Sequence, residues 1–234
     1  MPKKILFWID SKSPEKHFVD PPSLAKKEIP KYYSEMPRYS KGTELTVDND
    51  GSANLSVKAC IPFYDALTAG YIVKLHCDLF IDLEDESVKW TSNTPPVVAR
   101  AEGLFNNIPA VPGYKNFKLA FTIFYPCFLP KGYSALITQP MNRFDLPTYI
   151  PSAIVDADIS NGSGVVPFSV KEGFKGIIPA GTPIMQIIPF KRDTWVMEVP
   201  REKPKTKVNW TPLNKISGWY KLNVWQRKEW NGCL

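Results

Sequence analysis

The sequence predicts a mainly β protein, and three observations carry that expectation. Proline supplies 23 of 234 residues, about twice the usual ~5%. Each internal proline removes a helix hydrogen bond and clashes with the preceding turn, so a helical bundle is excluded. Short apolar stretches, several of them alternating, recur between Pro and Gly punctuation. The hydrophobic share of 44% and charged share of 22% are those of a folded chain rather than a disordered one. A chain this long can bury a core without staples. The expectation is a compact barrel, sandwich or related β fold as a single domain over residues 1–200, followed by an arm over 201–234.

Taken in order, residues 1–10 read as a first strand through Ile5, Phe7 and Ile9. Residues 11–42 read as a polar, Pro-rich loop in which only SLAKKEIPKYYSEM looks helical. Leu55–Pro62 reads as a strand, and CIPFYDALTAGY as one helical turn closed by Gly70. Tyr71–Leu83 alternates well. Val73, Leu75, Cys77, Leu79, Ile81 and Leu83 form one apolar face, which suits a half-buried antiparallel strand. Further strands are expected at Ser87–Thr91, Val97–Arg100, Lys118–Tyr125, Tyr133–Thr138, Ser152–Asp158, Val165–Val170 and Thr182–Phe190.

The net charge of +6 sits in the arm: residues 201–234 hold eight Lys and Arg against Glu202 and Glu229. The same segment holds Trp210, Trp219, Trp225 and Trp230, four of the seven tryptophans. REKPKTKVNWTP reads as an extended linker. From Asn214 a helix of about four turns is expected, with Ile216, Trp219, Leu222 and Trp225 spaced three apart. Aromatics interleaved with cations suit single-stranded nucleic acid. They equally suit a protein interface, where Trp and Arg dominate, so Trp210, Trp219, Trp225, Arg227 and Trp230 are the candidate partner-binding residues. The open partners are a neighbouring subunit, another protein, nucleic acid, or the arm's own domain.

Little else carries chemistry. Cys60, Cys77, Cys127 and Cys233 are scattered without a CxxC pair, which suits incidental thiols in a reducing compartment. No secretory signal opens the sequence, and its longest apolar run, Leu119–Leu129, falls short of the ~18–20 residues of a membrane span. His76-Cys77-Asp78 has the HxD form of an iron triad, but the second histidine is missing; His17 lies upstream. With two histidines in all, His-based zinc sites and Ser-His-Asp hydrolysis have little to build on. No metal or cofactor is expected. Asp82, Glu84, Asp85 and Glu86 read as a solvated turn.

The densest signal is Gly132–Phe190: GYSALITQP, SAIVDAD, the glycine loop ISNGSG, and PAGTPIMQIIPF. Asp156 and Asp158 are two residues apart, so a strand puts them on one face. Paired carboxylates can hold Mg²⁺ with substrate phosphates, or can simply cap a strand entering a turn.

SAIVDAD and PAGTPIMQIIPF resemble the trimeric dUTPase and dCTP deaminase superfamily. The resemblance implies a β-clip core over about residues 118–192. It places Asp156 at the sugar-binding carboxylate and Gln186 within the strand that follows. The family's phosphate-binding segment would fall at QPMNR, where its Arg-Ser-Gly is missing and Arg143 stands nearby. Its Tyr-Arg-Gly is replaced by Ile159, Ser160 and Asn161, and its glycine-rich C-terminal clamp gives way to the arm. The implied ligand residues are therefore Asp156, Asp158, Arg143 and Gln186, with no catalytic residue assigned.

Over most of its length the sequence, from CIPFYDALTAGYIV to WYKLNVWQRKEW, is also similar to a family of uncharacterised proteins of tailed bacteriophages and some bacteria. That similarity implies a viral protein in a virion or host cytoplasm, working as an oligomer or with other virion proteins. The expectation is a non-catalytic structural or assembly component whose arm docks on neighbours. The alternatives are a nucleotide-binding protein or nucleotide pyrophosphatase, or a host-interaction protein that binds a nucleotide signal.

Overall fold

Proline and glycine cut the chain into short stretches, and each apolar stretch pairs with whichever neighbour can complete its ladder. A computed structural model describes residues 2–40, 42, 44–47, 54–100, 108–160, 164–202 and 218–232. The elements run β1 (Leu6–Phe7), β2 (Ser23–Leu24), α1 (Lys31–Ser34), α2 (Ile61–Thr68), β3 (Tyr71–Lys74), β4 (Leu79–Asp82) and β5 (Ser87–Trp90). Then come β6 (Val97–Ala99), β7 (Tyr114–Thr122), β8 (Cys127–Phe128), β9 (Tyr133–Thr138), β10 (Thr148–Tyr149) and β11 (Ala153–Val155). The last are β12 (Val165–Lys171), β13 (Lys175–Ile178), β14 (Pro183–Lys191) and α3 (Trp219–Asn223).

The protein is mainly β, with antiparallel sheets. One sheet has the order β11-β9-β14-β3-β2, a second β10-β12-β7-β6 and a third β13-β4-β5, while β1 and β8 form a two-stranded ribbon. These sheets do not close into the barrel that the sequence suggested, among the described residues. Several strands are only two to four residues long. Prolines at 126, 130, 140, 147, 151 and 179 stand between them and cannot donate to a continuing ladder.

All three larger sheets feed one core. Leu79 and Ile81 come from β4, Phe121 from β7, Ala135 and Ile137 from β9, Phe168 and Val170 from β12, and Met185 and Ile187 from β14. Phe121 and Phe168 stack with ring centroids 4.1 Å apart. Strand β12 alternates without interruption, so Val166, Phe168 and Val170 share the core face, and the register shift between Pro167 and Ser169 places the extra residues on β7, between Asn116 and Ala120.

Several expectations need correction. Tyr71–Leu83 is two strands: β3 pairs with β14, and β4 with β13. Leu75, Cys77, Leu79, Ile81 and Leu83 are all buried as the alternation implied. Alternation reports a face, however, and not which sheet the chain is in. At the break His76 Nε2 lies 3.2 Å from the Thr94 carbonyl, and Asp78 accepts a hydrogen bond from Ala180 N at 2.8 Å. Leu55–Pro62 is not a strand; Tyr39 and Leu55 form an isolated bridge, and Val57–Ala59 is a 3-10 turn. Residues 1–10 keep only β1.

Helix α2 is longer than the expected single turn, because Pro62 falls in its first turn, where no N–H is needed. It ends at Thr68 with Ala69 as an extended C-cap, and Gly70 follows at φ +65°, where a Cβ would collide with the Ile187 carbonyl oxygen. Helix α3 is only five residues, entered from Gly218 at φ 90°. The four-turn helix fails at its described end because Trp225 lies beyond α3 and Leu222 faces solvent. Residues 214–217 and Trp210 lie outside the described residues, as do the Asn161–Ser163 part of the glycine loop and Cys233.

Candidate functional site

The two aspartates meet an arginine that the sequence reading did not single out. Strand β9 pairs with β11 on one side and β14 on the other. This register brings Asp156 past the end of β11, Ser134 at the start of β9, and Arg192 past the end of β14 to one point. Arg192 donates to Asp156 Oδ1 at 3.0 Å and to Asp158 Oδ1 at 2.8 Å, and a second nitrogen pairs with Asp158 Oδ2. Gly132 N donates to Asp158 Oδ2 and Ser134 Oγ to Asp156 Oδ1, both at 2.7 Å.

Asp158 is sealed, its side chain 2% exposed, whereas that of Asp156 is 57% exposed. The Arg192 hydrogen bonds hold the Asp158 carboxyl down to about 2, with the Gly132 N–H adding to the effect. Asp156 is lowered by its bond from Ser134 and then by Arg192. Chemically this is an ion-paired clamp that keeps one net negative charge: a single guanidinium stands between two ionised carboxylates, where a divalent cation would stand in a metal site. Among the described residues no group of three or more His, Cys, Asp or Glu converges on a metal position. Neither Asp156 nor Asp158 lines the hollow around Leu75 and Phe124 or the one beside Lys27 and Arg143.

Arg143 and Gln186 stand elsewhere. Gln186 pairs with Thr138 at the far end of β9, and four residues at ~3.3 Å each separate Thr138 from Ser134 beside the aspartates. Gln186 is buried, its Oε1 accepting from Met141 N at 2.7 Å. Its Nε2 donates to Ala66 O at 3.1 Å and Ala69 O at 2.6 Å. The amide therefore ties the end of α2 to the loop after β9. Arg143 makes a bidentate pair with Asp145, both bonds 2.8 Å, and donates to the Glu28 carbonyl at 3.2 Å. It edges an open hollow of about 370 Å³ with Lys27, Lys31 and Tyr32. Burial pushes the Asp145 carboxyl up, but the Arg143 hydrogen bonds and charge outweigh it and leave the net shift downward. Of the four implied ligand residues, only Asp156 and Asp158 are brought to a shared partner, Arg192.

The arm has its own seat. Trp225 Nε1 donates to both carboxylate oxygens of Asp65 on α2, at 3.1 and 2.9 Å, and Lys228 Nζ reaches Asp65 at 2.6 Å. The Lys228 ammonium also lies 5.9 Å from the Trp225 ring centroid, in the range of a cation–π contact. Trp230 packs edge-on to Tyr71 at 6.4 Å, and the Tyr71 hydroxyl donates to the Asn231 carbonyl at 3.1 Å. The described end of the arm therefore lies on its own domain. Trp219 is half-buried within α3, and Arg227 is exposed and paired with Glu229.

Sequence reasoning missed Arg192, Ser134, Asp65 and Tyr71. No local pattern marks them; only strand register and the position of the arm bring them to their partners. The Asp82 turn is as expected in place but not in exposure: Asp82 is buried, accepts from Glu84 N and Asp85 N, and pairs with Lys175 at 2.6 Å.

The fold and site together define a mainly β protein with an ion-paired Asp–Arg clamp and a Trp-anchored arm. No family model, no curated protein and no solved structure matches the chain. No helix among the described residues is long and apolar enough to cross a membrane.

Proposed function

We propose that this is a non-catalytic assembly protein of a tailed-bacteriophage particle, and that its C-terminal arm docks on a neighbouring subunit. The observation that carries the reading is the Asp65 latch. One carboxylate on α2 receives an indole N–H and an ammonium from the end of a chain segment that holds the whole basic excess. A latch between an arm and its own domain can be remade with the domain of the next copy, because the contacting groups are identical. Trp and paired charges are the residue types that anchor interfaces. The expected β-clip supplies the scaffold.

Ending the chain at Glu202 tests this. Mass by light scattering, and incorporation into particles, should fall to the unassembled level, while Asp156→Ala should leave both unchanged. Full assembly by the shortened chain would overturn the proposal. The nucleotide reading requires Arg192 to release Asp156 and Asp158. Melting against a nucleotide panel with Mg²⁺ separates it, since a ligand at 100 times its Kd adds about 2.7 kcal/mol, or roughly 5–10 °C in a chain of this size. Nucleic acid on the arm would show affinity falling steeply with salt.

A further inference from the structure

Just beyond β14 the chain leaves the sheet as an extended segment that joins no ladder among the described residues. Trp195 is 88% exposed, Val196 81%, Met197 88% and Val199 84%. Among the described residues the backbone of 194–200 makes no hydrogen bond. Four large apolar side chains in five residues form the kind of exposed patch that marks an interaction site rather than ordinary surface. β-branched and aromatic residues are also the composition of a strand.

The root of the segment is fixed. Arg192 N donates to Gly132 O at 2.9 Å, and its side chain is clamped by Asp156 and Asp158. The segment therefore projects from a defined point.

We propose that residues 193–201 form an intermolecular strand that pairs antiparallel with the same segment of a second copy. The sequence of one face makes the case for self-pairing. Successive side chains of a strand alternate, so Asp193, Trp195, Met197, Val199 and Arg201 share a face. In the antiparallel register centred on Met197, Asp193 stands opposite Arg201, Trp195 opposite Val199, and Met197 opposite itself. Both ends gain an opposite-charge pair and the middle is apolar, which is the pattern a two-fold interface demands.

A shift of one residue loses this. It sets Trp195 opposite Glu198 in one direction, and Asp193 opposite Glu202 in the other. Pro200 also fits. If the Met197 pair is a hydrogen-bonded one, Pro200 and Thr194 face each other at a non-hydrogen-bonded position, where the missing N–H is not needed. Asp193 now pairs with Lys191, both exposed; surface pairs of this kind contribute little and exchange readily.

This goes beyond the arm's docking and is tested separately from it. The full chain is used with Cys60→Ser and Cys233→Ser, leaving only the buried Cys77 and Cys127. Hydrogen-bonded antiparallel pairs have Cα atoms ~5.5 Å apart, within the ~4.4–6.8 Å of a disulfide. Met197→Cys should form a disulfide dimer under mild oxidation at least ten times faster than Val196→Cys, whose partner is residue 198. By sedimentation, Asp193→Arg or Arg201→Asp alone should raise the dimer Kd roughly tenfold, from the loss and reversal of two cross-strand charge pairs per dimer. The double variant should restore it.

A monomer at every concentration, equal cross-linking of the two cysteine variants, or a double variant no better than the singles would overturn the strand. A dimer indifferent to the charge changes but lost when the chain ends at Glu202 belongs to the arm, and also overturns it. Loss of particle incorporation in the shortened chain, with the charge-swap behaviour intact, leaves the strand standing and locates the arm's role elsewhere.

Discussion

Replacing Gln186 by alanine separates a ligand residue from a structural one. Its amide makes three hydrogen bonds from a buried position, one accepted from Met141 N and two donated to the carbonyls of Ala66 and Ala69. Those carbonyls belong to the end of α2, where the last turn has no intrahelical partners of its own. An orphaned buried group costs about 1–3 kcal/mol, and water entering the vacated space offsets part of that. The net expectation for Gln186→Ala is about 3–5 kcal/mol, a large share of a typical ~5–15 kcal/mol. At roughly 2–4 °C per kcal/mol for a chain of this size, Tm falls by about 6–20 °C.

Gln186→Glu keeps the shape and the acceptor for Met141 N but turns an oxygen toward two carbonyl oxygens. It should melt lower still at neutral pH and recover on mild acidification, when the carboxyl regains a proton to donate. Thermal melting across pH reads both variants. If Gln186→Ala melts within about 2 °C of the parent and loses only a ligand-induced shift, the structural account of Gln186 is wrong.

Gly70→Ala should cost about 2–5 kcal/mol in urea denaturation, from left-handed strain and a forced displacement of the Ile187 carbonyl. For Asp158 the folded carboxyl sits at about 2, below the ~3.9 of an unfolded chain. Its contribution is therefore complete above that unfolded value and is lost as pH falls toward 2. Arg192→Met should raise the Asp158 titration, seen by carboxyl NMR, and move acid unfolding to higher pH. Burial lowers the pKa of His76, with the Thr94 carbonyl partly opposing. The unfolded chain therefore binds that proton first, and stability should begin to fall as pH drops below about 6.5; His76→Leu should flatten that part of the curve.

The strands that sequence alone could find are those whose side chains alternate or cluster without interruption. Strand β9 is found at its full span, and β5, β12 and β14 within a residue at each end. The two-residue strands β8 and β10 carry no periodicity at all. They exist because Leu6–Phe7 and Val170 need partners, and that need is set by tertiary packing. Tyr71–Leu83 shows the same limit from the other side: its burial pattern was readable, yet its passage from one sheet to another depends on where β13 and β14 lie.

The candidate site was legible only in halves. Asp156 and Asp158 could be named from their spacing and from a resemblance, but their counter-ion is a residue 34 positions from Asp158, chosen by register. Gln186 and Arg143 were plausible ligands by position in a motif. In the structure their polar groups are taken up by α2, by Met141, by Asp145 and by Glu28, which no motif encodes.

The position of β14 has a mechanical consequence. It is the third strand of five, bonded to β9 on one side and β3 on the other, and the segment leading to the arm leaves from its end. Tension drawn through that segment runs along the strand axis, so both ladders are loaded lengthwise and many hydrogen bonds resist together. An edge strand such as β11 can be peeled one bond at a time. A pull on the segment that follows β14 is therefore resisted by the sheet as a whole, and the core is not unzipped strand by strand.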